Sequence, residues 1–390
     1  MRKRATHEEE SLRMRKKASG NVTIVDVAHE AGVSYTTVSR VLNNKQNVSP
    51  DTRERVLGAM TRLGYVVDQR ARSLAGGRSQ VIGLLVHDAG TSYIGEIIRG
   101  IDSELSSAQY ELLLYTTHRR KTKESTYVAM LTRGLADGLL LVLPRNPGAY
   151  LQTLREYRCP HVLIDHRGVD EVTPAVAADN REGARNATTY LIEQGHRRIG
   201  FVTGALDQIC AQDRLAGYRA ALADHGISFD AELVFEGDFF QPLGYQGASL
   251  LLELADPPTA IFASNDVSAF GVMEAVREHS LRIPEDISVL GFDDIPQAAH
   301  VHPALTTVRQ PLEDMGRVAT RMLLEYISHP DRAVERVELP TQLVVRQSCK
   351  PLDHAQEEVG REATDHQELF RSEHISKRRK VTWPEGDYVG

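Results

Sequence analysis

The chain has 390 residues, 41% of them hydrophobic, and a formal net charge of −7, enough apolar content for two or three domains with their own cores. Its three cysteines, Cys159, Cys210 and Cys349, are too few and too widely spaced for a disulfide framework or a zinc pattern. The charge is uneven: residues 1–80 hold 15 Lys and Arg against 8 Asp and Glu, and the remainder holds 31 against 45, so a basic head that meets a polyanion precedes an acidic body that avoids one.

The opening "MRKRATHEEESLRMRKK" has no apolar core for a signal peptide, and no apolar run is long enough to span a bilayer. A cytosolic protein with no membrane partner is expected. In "TIVDVAHEAG", Thr23 is placed to cap a helix, with Asp26 three residues on as its reciprocal partner. Gly32 then breaks the chain, because glycine takes the positive φ of a tight turn. Ser34 caps a second helix, running through Tyr35 to about Asn43. A third begins in "SPDTRERVLGAM", with Ser49 as cap and Pro50 at the first helical position, and Gly64 stops it. Val27, Ala28, Ala31, Val33, Val38, Val41, Leu42, Val56, Met60 and Leu63 recur at helical spacing and predict a very small three-helix core.

With the valines turned inward, Tyr35, Thr36, Ser39, Arg40 and Asn43 remain on the outer side of the second helix. Hydroxyls and amides hold phosphate oxygens, and one arginine can grip guanine O6 and N7 through two parallel hydrogen bonds. A solvated helix face accounts for the same residues equally well when they are taken alone. The glycine-bearing turn between short helices and the basic balance move the weight to duplex DNA.

The segments "VTIVDVAHEAGVSYTTVSRVLN", "VSPDTRERVLGAMTRLGY" and "ARSLAGGRSQVIGLL" resemble the lactose/galactose-repressor family of bacterial transcription regulators, and the likeness continues to about residue 349. The resemblance implies that Tyr35, Thr36 and Arg40 read bases, while Thr23, Ser34, Thr37, Ser39 and Asn43 position the head on the DNA backbone. Thr36 stands where the family varies its side chain to change operator preference.

"DQRARSLAGG", Asp68 to Gly77, joins head to body. It contains helix formers but spans only about two turns, short of the roughly 12–15 residues an isolated helix needs in water, so a flexible linker is expected away from DNA. Leu74 is its one large apolar residue. The resemblance implies that Leu74 enters the minor groove as a wedge between base steps when the hinges of two subunits pair and become helical.

From residue 80 the pattern changes to alternating strands and helices. "QVIGLLVH", "YELLLYTT", "GLLLVL" and "HVLID" read as strands buried on both faces, and Ile94, Ile97, Ile98, Ile101 and Leu105 mark a helix after the first. The series starts again at "RIGFVTG", "TAIFASND" and "ISVLGFDD", which predicts an α/β body of two doubly wound parallel lobes with a cleft between them. The resemblance agrees on a periplasmic-binding-protein-like core and implies crossings between lobes near residues 178, 308 and 337. The expected organisation is a helix-turn-helix head at 22–67, a hinge helix at 68–78, and an effector-binding and dimerisation core at 79–349. Lobe 1 takes about 79–178 and 309–336, lobe 2 about 179–308 and 337–349. Residues 1–21 and 350–390 are expected to be disordered tails.

Ligands in such lobes meet the carboxyl ends of strands. Asp165 in "VLID", Asn265 and Asp266 in "FASND", and Asp293 and Asp294 in "GFDD" stand there, with Asp266 and Asp294 read as helix N-caps. Asp165, Asn265, Asp293 and Arg214 match effector-contacting positions in sugar-binding family members. Their carboxylates, amide and guanidinium supply the paired donors and acceptors that vicinal hydroxyls need. Phe239 in "GDFF" sits where the family places an aromatic against the apolar face of a sugar ring, and Tyr93 and Gln310 add to the wall. "HDAGTSYIGE" departs from the family's Asn-Pro-Phe-Phe pattern, and His118, Gln208 and Cys210 replace more typical residues, which leaves the ligand's identity and size open. His300 and His302 have no acid or cysteine at matching spacing, so they read as a surface loop and no metal is expected.

No phosphate loop, dinucleotide fingerprint, nucleophile elbow or His-Glu-x-x-His motif is present, so neither an enzyme nor a cofactor is expected. The C-terminal segment lacks the leucine heptads that hold a dimer of dimers. The leading expectation is a homodimeric repressor on a palindromic double-stranded DNA operator, its affinity changed by a small sugar in the cleft. The alternatives are a regulator answering to a protein corepressor and one answering to a purine.

Overall fold

The structure is a computed structural model that describes residues 22–42, 47–65, 78–117, 120, 123–132, 134–145 and 147–352. The chain divides into two units between Ser79 and Gln80. In the first, the described helices are α1 (Ile24–Ala31), α2 (Tyr35–Leu42) and α3 (Pro50–Leu63). Their ends follow local chemistry. Thr23 and Asp26 form a reciprocal capping box, and the Ser34 and Ser49 hydroxyls accept from the backbone N–H groups of Thr37 and Thr52 at 3.2 and 3.3 Å. Gly32 and Gly64 end α1 and α3 with φ of 62° and 63°, where a Cβ would strain the backbone.

Val27, Val38, Val56 and Ala59 are wholly buried at the centre of this unit. Val33, Leu42, Met60 and Leu63 are only half-buried at its rim, because so few residues cannot enclose all of them. Two α3 arginines serve the fold: Arg55 donates to the Ala31 carbonyl at 2.6 Å and Arg53 to the Val41 carbonyl at 3.4 Å. They satisfy carbonyls at the ends of α1 and α2 that lack intrahelical partners.

The second unit opens with β1 (Val81–Val86), α4 (Ser92–Ala108), β2 (Glu111–Thr116), α5 (Lys123–Leu131), β3 (Gly138–Val142), α6 (Gly148–Glu156), β4 (His161–Ile164) and β5 (Ala175–Ala178). It continues through α7 (Asn180–Glu193), β6 (Ile199–Val202), α8 (Ile209–Asp224), β7 (Val234–Phe235), α9 (Gln241–Leu252), β8 (Ala260–Ala263), α10 (Asp266–Glu278), β9 (Ser288–Asp293) and β10 (Thr306–Arg309). It closes with α11 (Leu312–Ser328), β11 (Arg336–Leu339) and β12 (Gln342–Val344).

Two six-stranded sheets result, in the orders β11-β5-β4-β3-β1-β2 and β12-β10-β9-β8-β6-β7. The first is parallel throughout. In the second, β12 runs antiparallel to β10, a departure from the purely parallel expectation: after α11 and β11 of the first sheet the chain re-enters at Gln342, beside the Arg309 end by which it left, and so runs back along the edge. β2 also departs from the two-face burial expected of it. It is an edge strand, and Leu114 is 40% exposed.

The chain passes between sheets three times: from Ala178 to Asn180, from Arg309 to Leu312, and from Leu339 to Gln342. The third passage lies after Leu339, later than the expected position near 337. Val337 to Leu339 first complete the parallel ladder beside Val176 to Ala178. Among the described residues no helix is long and apolar enough to cross a membrane, and no group of three or more His, Cys, Asp or Glu could hold a metal ion.

Candidate functional site

On the head, α2 presents Tyr35, Thr36 and Arg40 outward, and Tyr35 is 51% exposed. The Ser34 hydroxyl lies 2.7 Å from that of Thr36 and 2.8 Å from that of Thr37, so three hydroxyls gather at the N-terminal end of the helix. That end carries unpaired N–H groups and a positive partial charge, which favours an anion such as phosphate. Ser39 is half-buried one turn further on, and Thr23 is engaged in the cap of α1. Arg53 and Arg55 are committed to carbonyls, and Arg62 pairs with Glu30 at 3.1 Å. The Arg40 side chain is exposed and makes no hydrogen bond or ion pair with any described residue. Asn43 and Leu74 lie outside the described residues, as does the hinge from Asp68 to Gly77.

In the second unit, strand ends from both sheets converge on a cavity of about 80 Å³, lined by Tyr93, Asp165, Arg214, Phe239, Asn265 and Asp293 among others. Six of the seven expected residues therefore come together. Gln310 stands behind Asp293, donating to it at 2.7 Å. Asp165 and Asp293 leave the ends of β4 and β9 with φ of 55° and 116°, conformations that turn their carboxylates off the sheets. Tyr93 donates its hydroxyl to Asp165 at 2.8 Å.

Arg214 is the largest buried polar group here, 2% exposed. Its Nε donates to Asn180 Oδ1 at 2.8 Å, and Nη1 donates to the Ser264 carbonyl at 2.5 Å and lies 3.5 Å from the Asp293 carboxylate. Its Cζ sits 3.8 Å over the Phe292 ring and 5.6 Å from that of Phe239. A desolvated guanidinium over an aromatic face is held by the ring quadrupole as well as by its hydrogen bonds.

Burial raises the Asp293 carboxyl above the ordinary carboxylate range, with Arg214 and Gln310 pulling it back. Burial and the neighbouring Asp165 raise the Tyr93 phenol, which keeps it a donor. Cys210 also lines the cavity, its thiol pushed up by burial and so kept protonated. Gln208 and His87 line it too, whereas His118 lies outside the described residues. His87 donates from Nε2 to the Leu143 carbonyl at 2.6 Å, and burial lowers its pKa, so it stands neutral.

Two expected caps have other work. The N-cap of α10 is Asn265, which accepts from the Ser268 N–H at 2.9 Å and donates to the Phe239 carbonyl at 3.1 Å. Asp266 is instead a fully buried acceptor for the Thr307 hydroxyl at 2.5 Å and the Ile295 N–H at 2.9 Å. Asp294 is gripped by Arg309 and Arg346, each at 2.6 Å. The residue missed by sequence reasoning is Asn180, which bonds both Asp165 and Arg214. A polar residue after Asp179 at a helix start reads as capping, so its sequence position carries no sign of this role.

Residues 23–68 match the profile of bacterial regulatory proteins of the lacI family, and residues 188–349 match the periplasmic binding protein-like domain. The HTH-type transcriptional repressor PurR of Mannheimia succiniciproducens is 34% identical over 85% of this chain and 99% of its own length. Among solved structures, a lac repressor dimer bound to operator and the anti-inducer ONPF is 30% identical with a TM-score of 0.74, covering 85% of this chain and 99% of that one. The complex of the transcriptional regulator CelR with cellobiose is 34% identical with a TM-score of 0.66, covering 84% and 100%.

Proposed function

The chain belongs to the lacI family of bacterial regulatory proteins and is a DNA-binding transcriptional repressor, not an enzyme; from that premise we propose that it binds a palindromic operator as a homodimer whose affinity is set by a small uncharged sugar in the cleft. On this reading α2 enters the major groove, with Tyr35, Thr36 and Arg40 as base readers. Thr23, Ser34, Thr37, Ser39 and Asn43 hold the backbone, and Leu74 of each hinge wedges the minor groove. One short helix per chain contacts few base pairs, which is the physical reason for a dimer on two half-sites.

The observation that carries the sugar reading is the facing pair Asp165 and Asp293 with Arg214 between aromatic rings. Carboxylates that accept and a guanidinium that donates match adjacent hydroxyls, and the Phe239 face suits the apolar C–H side of a sugar ring. Asp88, Asp165, Asp238 and Asp293 outnumber Arg145 and Arg214 in the lining, which disfavours a phosphorylated ligand. A purine is the second reading. It is favoured by the relationship to PurR and by Phe239 and Phe240 together as flat apolar walls. Thermal-shift screening against neutral sugars, nucleobases and sugar phosphates separates these, since a ligand bound only by the folded state raises the melting temperature. Neutral sugars are expected to raise it and to change operator affinity. A response confined to nucleobases would replace the sugar reading with the purine one.

A further inference from the structure

A buried amide joins the two sides of the cleft. Asn180 is 4% exposed and begins α7 directly after the chain passes from the first sheet to the second. Its Nδ2 donates to Asp165 Oδ1 at 3.0 Å and to the Ala178 carbonyl at 3.1 Å, and its Oδ1 accepts from Arg214 Nε at 2.8 Å. Chemistry fixes the orientation, because the nitrogen faces two oxygens that accept and the oxygen faces a guanidinium that only donates. Asp165 follows β4 of the first sheet, and Arg214 lies on α8 against the second. The remaining Asp165 oxygen is taken by Tyr93.

We infer that Asn180 is a positioning residue that aligns Asp165 with Arg214 and ties the two walls of the cleft together. Its place at a chain crossing matters, since a rotation of one lobe on the other displaces groups near the pivot least. Three other contacts join the lobes: Arg167 with Asp213 at 2.9 Å, Arg145 with Asp207 at 3.8 Å, and Gln297 with Ser92 at 2.7 Å. Losing the Asn180 amide leaves a carboxylate oxygen and a guanidinium N–H buried and unpaired, so both walls lose their tie. The inference rests on reading the cavity as the effector site, but its test requires no effector.

The test is amide hydrogen exchange on the full-length protein without any added ligand. Asn180→Asp keeps the acceptor for Arg214 and sets a second carboxylate against Asp165. It is expected to speed exchange roughly five-fold or more in both cleft walls, residues 87–94 and 208–214. Adding Asp165→Asn exchanges donor for acceptor and rebuilds the links to residue 165 and Arg214 in reverse, leaving only the Ala178 carbonyl without its donor, and exchange in both walls is expected to return most of the way to that of the unaltered protein. Because the double variant keeps both side-chain sizes, it also serves where Asn180→Asp folds poorly: native-like folding and exchange then support the inference. Faster exchange confined to residues 179–184, or a double variant as fast as Asn180→Asp, would overturn the inference. A failed sugar screen leaves both outcomes readable.

Discussion

Arg167, in the loop after β4, places a guanidinium nitrogen 2.9 Å from the Asp213 carboxylate on α8, so an ion pair joins the two lobes. Burial pushes the Asp213 carboxyl up to about 6, against the pull of Arg167 and with Asp165 and Glu338 adding to the rise. A carboxyl whose folded pKa exceeds its unfolded value holds its proton more tightly when folded. Its contribution to stability is therefore most favourable below about pH 4, falls as pH rises toward 6, and is flat above. Asp213→Asn has no such slope. The variant is expected to gain on the unaltered protein by on the order of 2 kcal/mol between pH 4.5 and 7.5. Urea denaturation at the two pH values measures this, and parallel curves would show that Asp213 keeps an ordinary pKa.

Asp293 and Arg214 are expected to respond differently to mutation. Asp293→Asn keeps the shape of the side chain and its link to Gln310 but removes the anion beside the buried Arg214, so it should cost some stability while leaving operator binding nearly intact and abolishing the effector response. Arg214→Ala strips a fully buried cation from Asn180, Ser264, Asp293 and Phe292. It should destabilise the second unit by about 3–5 kcal/mol, because the Asn180 oxygen and the Ser264 carbonyl are left buried without a donor and the Asp293 carboxyl without its counter-charge. Calorimetric titration of effector into Asp293→Asn, beside melting curves of both variants, is the measurement. Unchanged effector affinity in Asp293→Asn would remove that residue from the site.

Arg40→Ala should weaken operator binding by about 1–3 kcal/mol and relax the preference at one base pair per half-site. Binding to a set of singly substituted operators at fixed salt distinguishes this from a backbone contact. A uniform loss on every sequence would make Arg40 a phosphate ligand instead.

Leu74→Ala should weaken operator binding, reduce DNA bending, and shrink the effector's influence on the binding that remains. The reason is that an apolar wedge inserts only when two hinges are folded and paired. Amide exchange across residues 68–77 is expected to be fast in free protein and slow on operator. Protection already present in free protein would make the hinge a rigid spacer.

How far the sequence alone could be read depended on the range of the interaction concerned. Thr23, Ser34, Ser49, Gly32 and Gly64 act within a few residues of themselves, so the head's helices and their ends were determined locally. The apolar runs at residues 81–86, 138–142 and 161–164 likewise marked buried strands, and the polar residues at strand ends marked the cavity, because backbone periodicity needs no distant partner. Tertiary structure decided the rest. Nothing near Asp266 or Asp294 in the chain distinguishes a helix cap from a buried acceptor or an arginine clamp. The deciding groups, Thr307 and Arg309 of β10 and Arg346 just after β12, arrive from elsewhere in the chain. Asn180 became a bridge only because a crossing brought β4 and α8 to its two sides. Hydrogen bonds between residues far apart in sequence depend on where the folded backbone places them, and that placement is set by the packing of both sheets together.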